Sequence, residues 1–310
     1  MDVVGLGLSV IDYLCLIPRI PHFEGAVGMS DFSIQGGGPV ATAMVALARL
    51  GARAGFVGKV SDDDLGRLKL KLFADEGVDT RRTIVDPTGT SGFVIVLVEE
   101  TSGKRAFIGS GRGEIPLRPE EVDRDYVTSA AFLHLDGSHM AAVHQAAEWM
   151  RAAGGKVSLD AGAVSEARPI SPGMRRLVEL SHVVVAAESF AQALTGQAEA
   201  PAAAQALLGH GPEIVAVTCG ERGSWFATAE GCGHEPAFAV KVVDTTGAGD
   251  TYHGAFLYGL LQGWELRRVT RFANAVAALK CRKLGGRAGI PTLHEAEAFL
   301  NSQGGGPTSC

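Results

Sequence analysis

The 310-residue chain is poor in aromatic residues, which make up 6%, and contains no apolar run near the roughly 20 residues that a membrane span requires, so no membrane partner is expected. Cysteine is scarce as well. Cys15, Cys219, Cys232, Cys281 and Cys310 form an odd set of five without a CxxC pair, which excludes a zinc knuckle and a disulfide framework and suits a reducing cytoplasm. Cations are few and scattered: 28 Lys and Arg stand against 34 Asp and Glu, for a net charge of −6. Nucleic-acid binding needs clustered cations, so a small molecule is the expected partner. Several motifs are also missing. There is no GxxxxGK[ST] phosphate loop and no GxSxG elbow, and Val10 stands where a dinucleotide fingerprint beginning at Gly5-Leu6-Gly7 needs its third glycine. The opening MDVVGLGLSVIDYLCLIP lacks a basic region and carries Asp2 and Asp12, so it reads as a buried strand rather than a signal peptide. His134, His139 and His144 are spaced by five, off any common helical face, and read as ordinary polar positions.

What the chain has in excess is glycine, 41 residues, about twice the roughly 7% usual in proteins. Short apolar runs at Val3–Gly7, Ala54–Val60, Ala131–Asp136, Lys156–Asp160, His182–Ala186 and Ile214–Cys219 read as strands. Helical periodicity appears over Val40–Leu50, Asp64–Glu76, Ala141–Ala153, Ala202–Leu208, Thr251–Leu261, Arg268–Leu284 and His294–Leu300. This alternation implies an α/β fold, a doubly wound and mostly parallel sheet flanked by helices. Ile17–Gln35 and Thr90–Gly113 break the rhythm, and the second reads as a hairpin across Thr101–Gly103. Together they are expected to form a small β-sheet lid, from segments at about 13–35 and 90–113, on a single domain of residues 1–303; the alternative is an edge hairpin of the main sheet. Residues 304–310 read as a disordered tail.

Chemistry concentrates in Val242–Leu260, VVDTTGAGDTYHGAFLYGL. A β run ending at Asp244, a Gly-Ala-Gly turn and a helix beginning at about Asp250 would leave the N–H groups of Gly247, Ala248 and Gly249 unpaired at a helix N-terminus, an anion hole. Asp250 at its mouth is the candidate proton acceptor, although an aspartate beginning a helix is by itself more often only an N-cap. Asp244, two threonines, two glycines and Asp250 within seven positions exceed what one cap requires. A carboxylate beside an anion hole suits phosphoryl transfer to an alcohol.

The segments GGGPVATAMVALARLG and DTTGAGDTYHGAFLYGL together resemble the two signature regions of the ribokinase-like (PfkB) carbohydrate kinase family, and the likeness runs from Val3 to about Leu300. In motif style GGGPVATA and AALKCRKLGGRAGIP are most similar to the sulfofructose kinase subgroup. The resemblance implies transfer of the γ-phosphoryl group of ATP to a primary hydroxyl of a small sugar or sugar derivative, with Asp250 as general base and Gly247, Ala248 and Gly249 as the anion hole. It also implies sugar binding by Asp12, Gly37, Gly38 and Thr42, with Asp136 as an added hydroxyl acceptor that reads nearly as well as a turn residue. Thr218, Gly220 and Gly223, in VTCGERG, would border the ATP phosphates. Asn274 would fall at the adenine pocket, and Gly286, in LGGRAGIP, would share the nucleotide pocket. Asp244 and Thr246 would belong to a monovalent-cation site for K+, and Mg2+ would accompany ATP.

Departures from the family pattern accompany these assignments. The family's NxxE motif is degenerate at Ala187-Glu188-Ser189-Phe190, leaving Glu188 as the nearby carboxylate, and Thr42 and Val10 replace amides found in ribokinases, which disfavours ribose. Arg105 and Arg112 are the lid cations available to an anionic acceptor. A nucleoside kinase of the same fold and a non-catalytic ligand-binding relative are the alternatives; Phe23, Phe32, Phe93 and Phe107 are the aromatics a base could stack on. The resemblance further implies a cytoplasmic protein and a homodimer paired through the lid.

Overall fold

The computed structural model describes residues 1–110, 116–166 and 169–303. The first part of the chain runs through β1 (Val3–Leu6), β2 (Val10–Ile17), β3 (Asp31–Gly37), α1 (Pro39–Arg49), β4 (Ala54–Val57), β5 (Lys59–Ser61), α2 (Asp64–Ala74), β6 (Ile84–Asp86), β7 (Phe93–Glu99) and β8 (Arg105–Gly109). Next come α3 (Arg124–Thr128), β9 (Phe132–Leu135), α4 (Met140–Ala152), β10 (Lys156–Ala161), α5 (Pro172–Leu180), β11 (Val183–Ala187), α6 (Glu188–Thr195), α7 (Ala200–Leu208) and β12 (Ile214–Thr218). A hairpin of β13 (Ser224–Thr228) and β14 (Gly231–Glu235) precedes α8 (Ala248–Leu261), α9 (Leu266–Lys280) and α10 (Leu293–Ser302).

The main sheet has eight strands in the order β14-β13-β12-β11-β10-β9-β1-β4, parallel from β12 to β4 and antiparallel at the hairpin. Its strands are apolar on both sides because helices cover both faces. In β11, Val184 and Ala186 join the core beneath α4 to α7, whereas Val183 and Val185 join the core beneath α1, α8 and α9. The fold is thus the expected α/β class.

A separate four-stranded sheet, β3-β2-β7-β8, stands beside it. Cross-strand partners share a face. Asp12 pairs with Gln35 and Val94, Leu14 with Ser33 and Val96, Val96 with Phe107, and Val98 with Arg105, so all these lie on one face. That face packs Leu14, Val96 and Val98 against Leu284. The opposite face carries Tyr13, Phe32, Ile34, Ile95 and Ile108, of which Phe32, Ile34 and Ile108 are exposed.

Four readings of the sequence need correction. Ala54–Val60 is not one strand: the chain leaves the main sheet after Val57, and Lys59–Ser61 pairs with Ile84–Asp86 in a two-stranded sheet. The opening segment is not one buried strand: the first strand stops at Leu6, and Asp12 sits inside β2, which belongs to the small sheet. No strand leads into Asp244, because the N–H groups of Val243 and Asp244 donate to the Cys281 carbonyl rather than to a neighbouring strand. The helix read to Leu284 ends at Lys280, where the chain turns toward Gly285, whose φ is 91°. The small sheet itself is separate from the main one, so the edge-hairpin alternative does not hold. Residues 304–310 lie outside the described residues.

Candidate functional site

Parallel strands end along one edge, and that edge is where open α/β sheets bind ligands. Here it carries Asp136 just past β9, Asp160 in β10, Glu188 after β11 and Thr218 ending β12. The small sheet brings Asp12 to the same region, and α8 begins there.

Helix α8 starts at Ala248 with Gly247 as its N-cap, in a left-handed conformation (φ 72°) that favours glycine. A Cβ on Gly247 would also come within 2.9 Å of Gly286, so the two loops touch backbone to backbone. Asp250 therefore lies inside the first turn and does not cap the helix, which removes the N-cap reading of this residue. The Ala248 N–H donates to the Thr245 carbonyl at 3.2 Å, a correction to the expected three-amide hole. Among the described residues no acceptor engages Gly247 or Gly249, and the space around Gly249 is open to 4 Å.

Asp250 is half-buried, and burial pushes its carboxyl up to about 6, aided by Asp136 and opposed by Lys280 and Arg287. Asp12 is raised to about 6 mainly by burial, with the Arg287 charge opposing and Asp250 and Asp244 reinforcing. No donor among the described residues reaches its carboxylate, and Gly37 lies so close that a Cβ there would stand 2.2 Å from its Oδ2. Gly37 is thus a glycine because Asp12 occupies the space a side chain would need. Gly38 adjoins it, and Thr42 is buried on α1. Asp136 spends its carboxylate on backbone amides, accepting from Leu8 at 3.0 Å and from Ser138 at 2.8 Å. It therefore makes the turn that the sequence offered as the alternative reading. Arg105 lies on the same sheet face as Asp12, exposed, with its guanidinium 5.8 Å from the centre of the Phe107 ring. Arg112 lies outside the described residues.

At the end of β12, Thr218 donates to the Ala186 carbonyl, and Gly220 and Gly223 frame a one-turn 3-10 helix, both at positive φ. Glu188 is ion-paired with Arg222. Asn274 uses its amide within the protein, accepting from Ser224 and donating to the Glu235 and Pro236 carbonyls. Asp244 accepts from the Thr246 N–H and hydroxyl on Oδ1 and from the Gly285 N–H on Oδ2, each at 2.8 Å.

The sequence reading missed four residues. Arg287 is buried beneath the glycine strand, donates to the Gly37 carbonyl at 3.2 Å, stacks over Phe73, and is lowered to about 10 by burial. Lys280 is fully buried and donates to the Asp244 carbonyl at 2.9 Å. Asp160 and His253 meet at 3.4 Å beneath Asp250, with His134 beside them, its ring centre 5.6 Å from that of His253. Burial raises Asp160 well above and lowers His253 well below the ordinary range, and it takes His134 down to about 3. These three could hold a metal ion, and His134 is no ordinary polar position. Nothing local marks them: Lys280 stands beside Arg282 and Lys283 in an ordinary basic stretch, and Asp160, His253 and Arg287 look in sequence like any other polar residue at the end of an apolar or glycine-rich run. Gln35 ties the small sheet to the 284–289 loop, donating to the Leu284 carbonyl and accepting from the Arg287 and Ala288 amides.

A family model described as pfkB family carbohydrate kinase matches residues 2–293. Among curated proteins, 5-dehydro-2-deoxygluconokinase of Shouchella clausii is 29% identical over 322 residues, spanning 97% of this chain and 96% of that protein. Ribokinase of Haemophilus influenzae is 28% identical over 304 residues, spanning 95% and 97%. A crystal structure from Agrobacterium tumefaciens superposes with a TM-score of 0.89 at 26% identity, covering 97% of this chain and 98% of that one. An Escherichia coli protein in complex with ATP and Mg2+ superposes at 0.84 with 24% identity, covering 97% and 99%, a likeness of fold alone.

Proposed function

The chain belongs to the pfkB family of carbohydrate kinases and is a sugar kinase; from that premise we propose that Asp250 is the general base that takes the proton from a primary hydroxyl of the sugar. The observation that carries this reading is the placement of Asp250: inside the first turn of α8, not capping it, beside amides without acceptors, with its carboxyl raised toward neutrality. Such a carboxylate has a basicity matched to work near neutral pH. The Gly247 and Gly249 amides, with the positive end of the α8 dipole, receive the γ-phosphoryl group.

Asp12 accepts hydrogen bonds from sugar hydroxyls, and Gly37, Gly38, Thr42 and Asp136 complete the acceptor pocket. Its unmatched, buried carboxylate supports this role, since a buried acceptor without donors is unfavourable until a ligand supplies them. The small sheet acts as the lid, with Gln35 as its tie to the nucleotide loop, and closure excludes water from the transfer. Bound ATP supplies the phosphoryl group, and Mg2+ supplies neutralisation of its β,γ charge. Glu188 is an oxygen donor of suitable chemistry for Mg2+ on that side. Thr218, Gly220, Gly223 and Gly286 border the nucleotide.

The outer face of the small sheet, with Phe32, Ile34 and Ile108 exposed, supports pairing of two copies through the lid. Phe32 and Phe93 lie on that outer face, leaving Phe107 as the phenylalanine of the four on the inner strand face, which weakens the nucleoside reading. A panel of ketoses, aldoses and sugar acids, assayed for ADP release with Mg·ATP and with adenosine in parallel, tests the proposal. ADP release with adenosine and with no sugar would overturn it.

A further inference from the structure

Lys280 ends α9 with a side chain that solvent does not reach, and its ammonium donates to the Asp244 main-chain carbonyl at 2.9 Å. Lysines are almost never fully buried unless paired, because a desolvated charge needs acceptors and opposite charge around it. Both are present. The carbonyl is one acceptor; burial lowers the Lys280 amine below its ordinary range, the Arg105 charge acts the same way, and the Asp244 and Asp250 charges oppose that shift by favouring the protonated form. The 285–289 loop closes over the same spot: a Cβ on Gly289 would lie 2.1 Å from the Lys280 carbonyl oxygen. Asp244 opens the segment that reaches the Gly247 N-cap three residues later, and Gly247 rests against Gly286 of that loop.

The family resemblance assigns Asp244 and Thr246 to a free monovalent cation. These residues do not fit one. The Asp244 carbonyl already meets a cation, the Lys280 ammonium, and three of the roughly four acceptor sites of the Asp244 carboxylate already receive N–H and hydroxyl donors. We propose that the Lys280 ammonium is a tethered cation that replaces a dissociable one, holding the two loops that form the phosphate hole and biasing their potential positive, so that the enzyme works without potassium. A charge carried on the chain requires no binding from solution and stays preorganised through the catalytic cycle. Lys280 is a positioning residue in this scheme, touching neither sugar nor phosphate.

The inference rests on the kinase reading of the Gly247–Gly249 loop, so its test has two arms. Calorimetric binding of Mg with a non-hydrolysable ATP analogue, and turnover on the accepted sugar, are each measured in potassium, sodium and choline chloride at equal ionic strength. Wild-type protein is expected to show the same affinity and rate in all three. Stimulation by potassium of about tenfold or more, the scale on which outer-shell partners act, would overturn the proposal. Lys280→Met keeps the bulk of the stem without its charge and is expected to lose roughly 10- to 100-fold in kcat/KM in every salt. Lys280→Ala leaves room for an ion, and recovery of its activity by potassium or ammonium but not by choline is expected; a merely structural lysine gives no such rescue. A folded Lys280→Met enzyme at wild-type rate also overturns the proposal. If both variants fail to fold, the wild-type salt series decides alone. Were no sugar turned over, the proposed function would fail while the analogue-binding arm still reported on Lys280.

Discussion

Replacing Asp250 with Asn removes one proton acceptor and one negative charge and little else. The amide is nearly isosteric, and Gly247 rather than Asp250 is the α8 N-cap, so no side-chain cap is lost. What disappears from the fold is the interaction of an acidic first-turn residue with the helix dipole, about 0.3–1 kcal/mol. Against that, the native carboxyl is raised to about 6 by burial and by Asp136. A carboxyl whose folded pKa lies above its unfolded value of 3.8 favours folding below that value and loses the contribution as pH rises through about 6, so at pH 7.5 the ionised side chain opposes folding. The neutral amide escapes this, and the melting temperature of Asp250→Asn is expected to equal or exceed that of wild type. Catalysis moves the other way. A positioned general base contributes about 10²–10⁴ in rate, or about 3–5.5 kcal/mol of barrier. In a coupled ADP assay kcat is expected to fall by that factor. Affinity for Mg·ATP should stay level or improve, because a negative charge has left the phosphate site. A variant that keeps kcat within about tenfold of wild type refutes the assignment of Asp250 as base. A loss of rate matched by a large fall in melting temperature refutes the argument that Asp250 has no capping role.

Other consequences can be measured directly. Since Asp12 and Asp250 are both raised to about 6 and act as carboxylates, kcat/KM is expected to climb with pH through that region and to level above it; a profile flat from pH 5 to 8 contradicts the cited shifts. Gly37→Ala places a Cβ where the Asp12 carboxylate lies, 2.2 Å from Oδ2, and should lower kcat/KM for the sugar about 100-fold with analogue binding unchanged; an equal loss on both sides of the cleft speaks against a sugar-specific role. His134, held near 3 against an ordinary 6.5, binds its proton in the unfolded chain first, so stability is lost as pH falls below 6.5, by up to about 1.4 kcal/mol per pH unit. Asp160 slopes the opposite way, so the measurement is a difference: denaturant midpoints of wild type and His134→Leu between pH 7 and 5, in which the variant should show the flatter decline. Charged residues at Phe32 and Ile34 should convert a lid-paired dimer to monomer in light scattering, an idea abandoned if wild type is monomeric at every concentration.

The elements with strong periodicity were legible because their cause is local. Valine-rich runs bounded by turns and helices of small residues follow from propensity and burial patterning, and the hairpin across Thr101–Gly103 appears as β7 and β8. Where reading failed, partners distant in sequence decided. Gly58 lets one apparent strand serve two sheets, and Val242–Asp244 looks like a strand but bonds to the end of α9. The turn into α8 at Gly247–Asp250 was legible because its glycines and its first-turn aspartate fall within four residues of chain. Arg287, Lys280, Asp160 and His253 were not, since nothing local distinguishes a buried charge from a solvated one.

By itself the sequence determined the α/β class and the family, because each of these is written in contiguous residues. Only the tertiary structure decided that Asp12 lies in a second sheet, that Ala248 turns its amide to Thr245, and that a lysine ammonium sits on the Asp244 carbonyl. Desolvation and long-range charge act through space, and they turn ordinary aspartates, histidines and a lysine into groups with shifted basicity only after folding has brought them together.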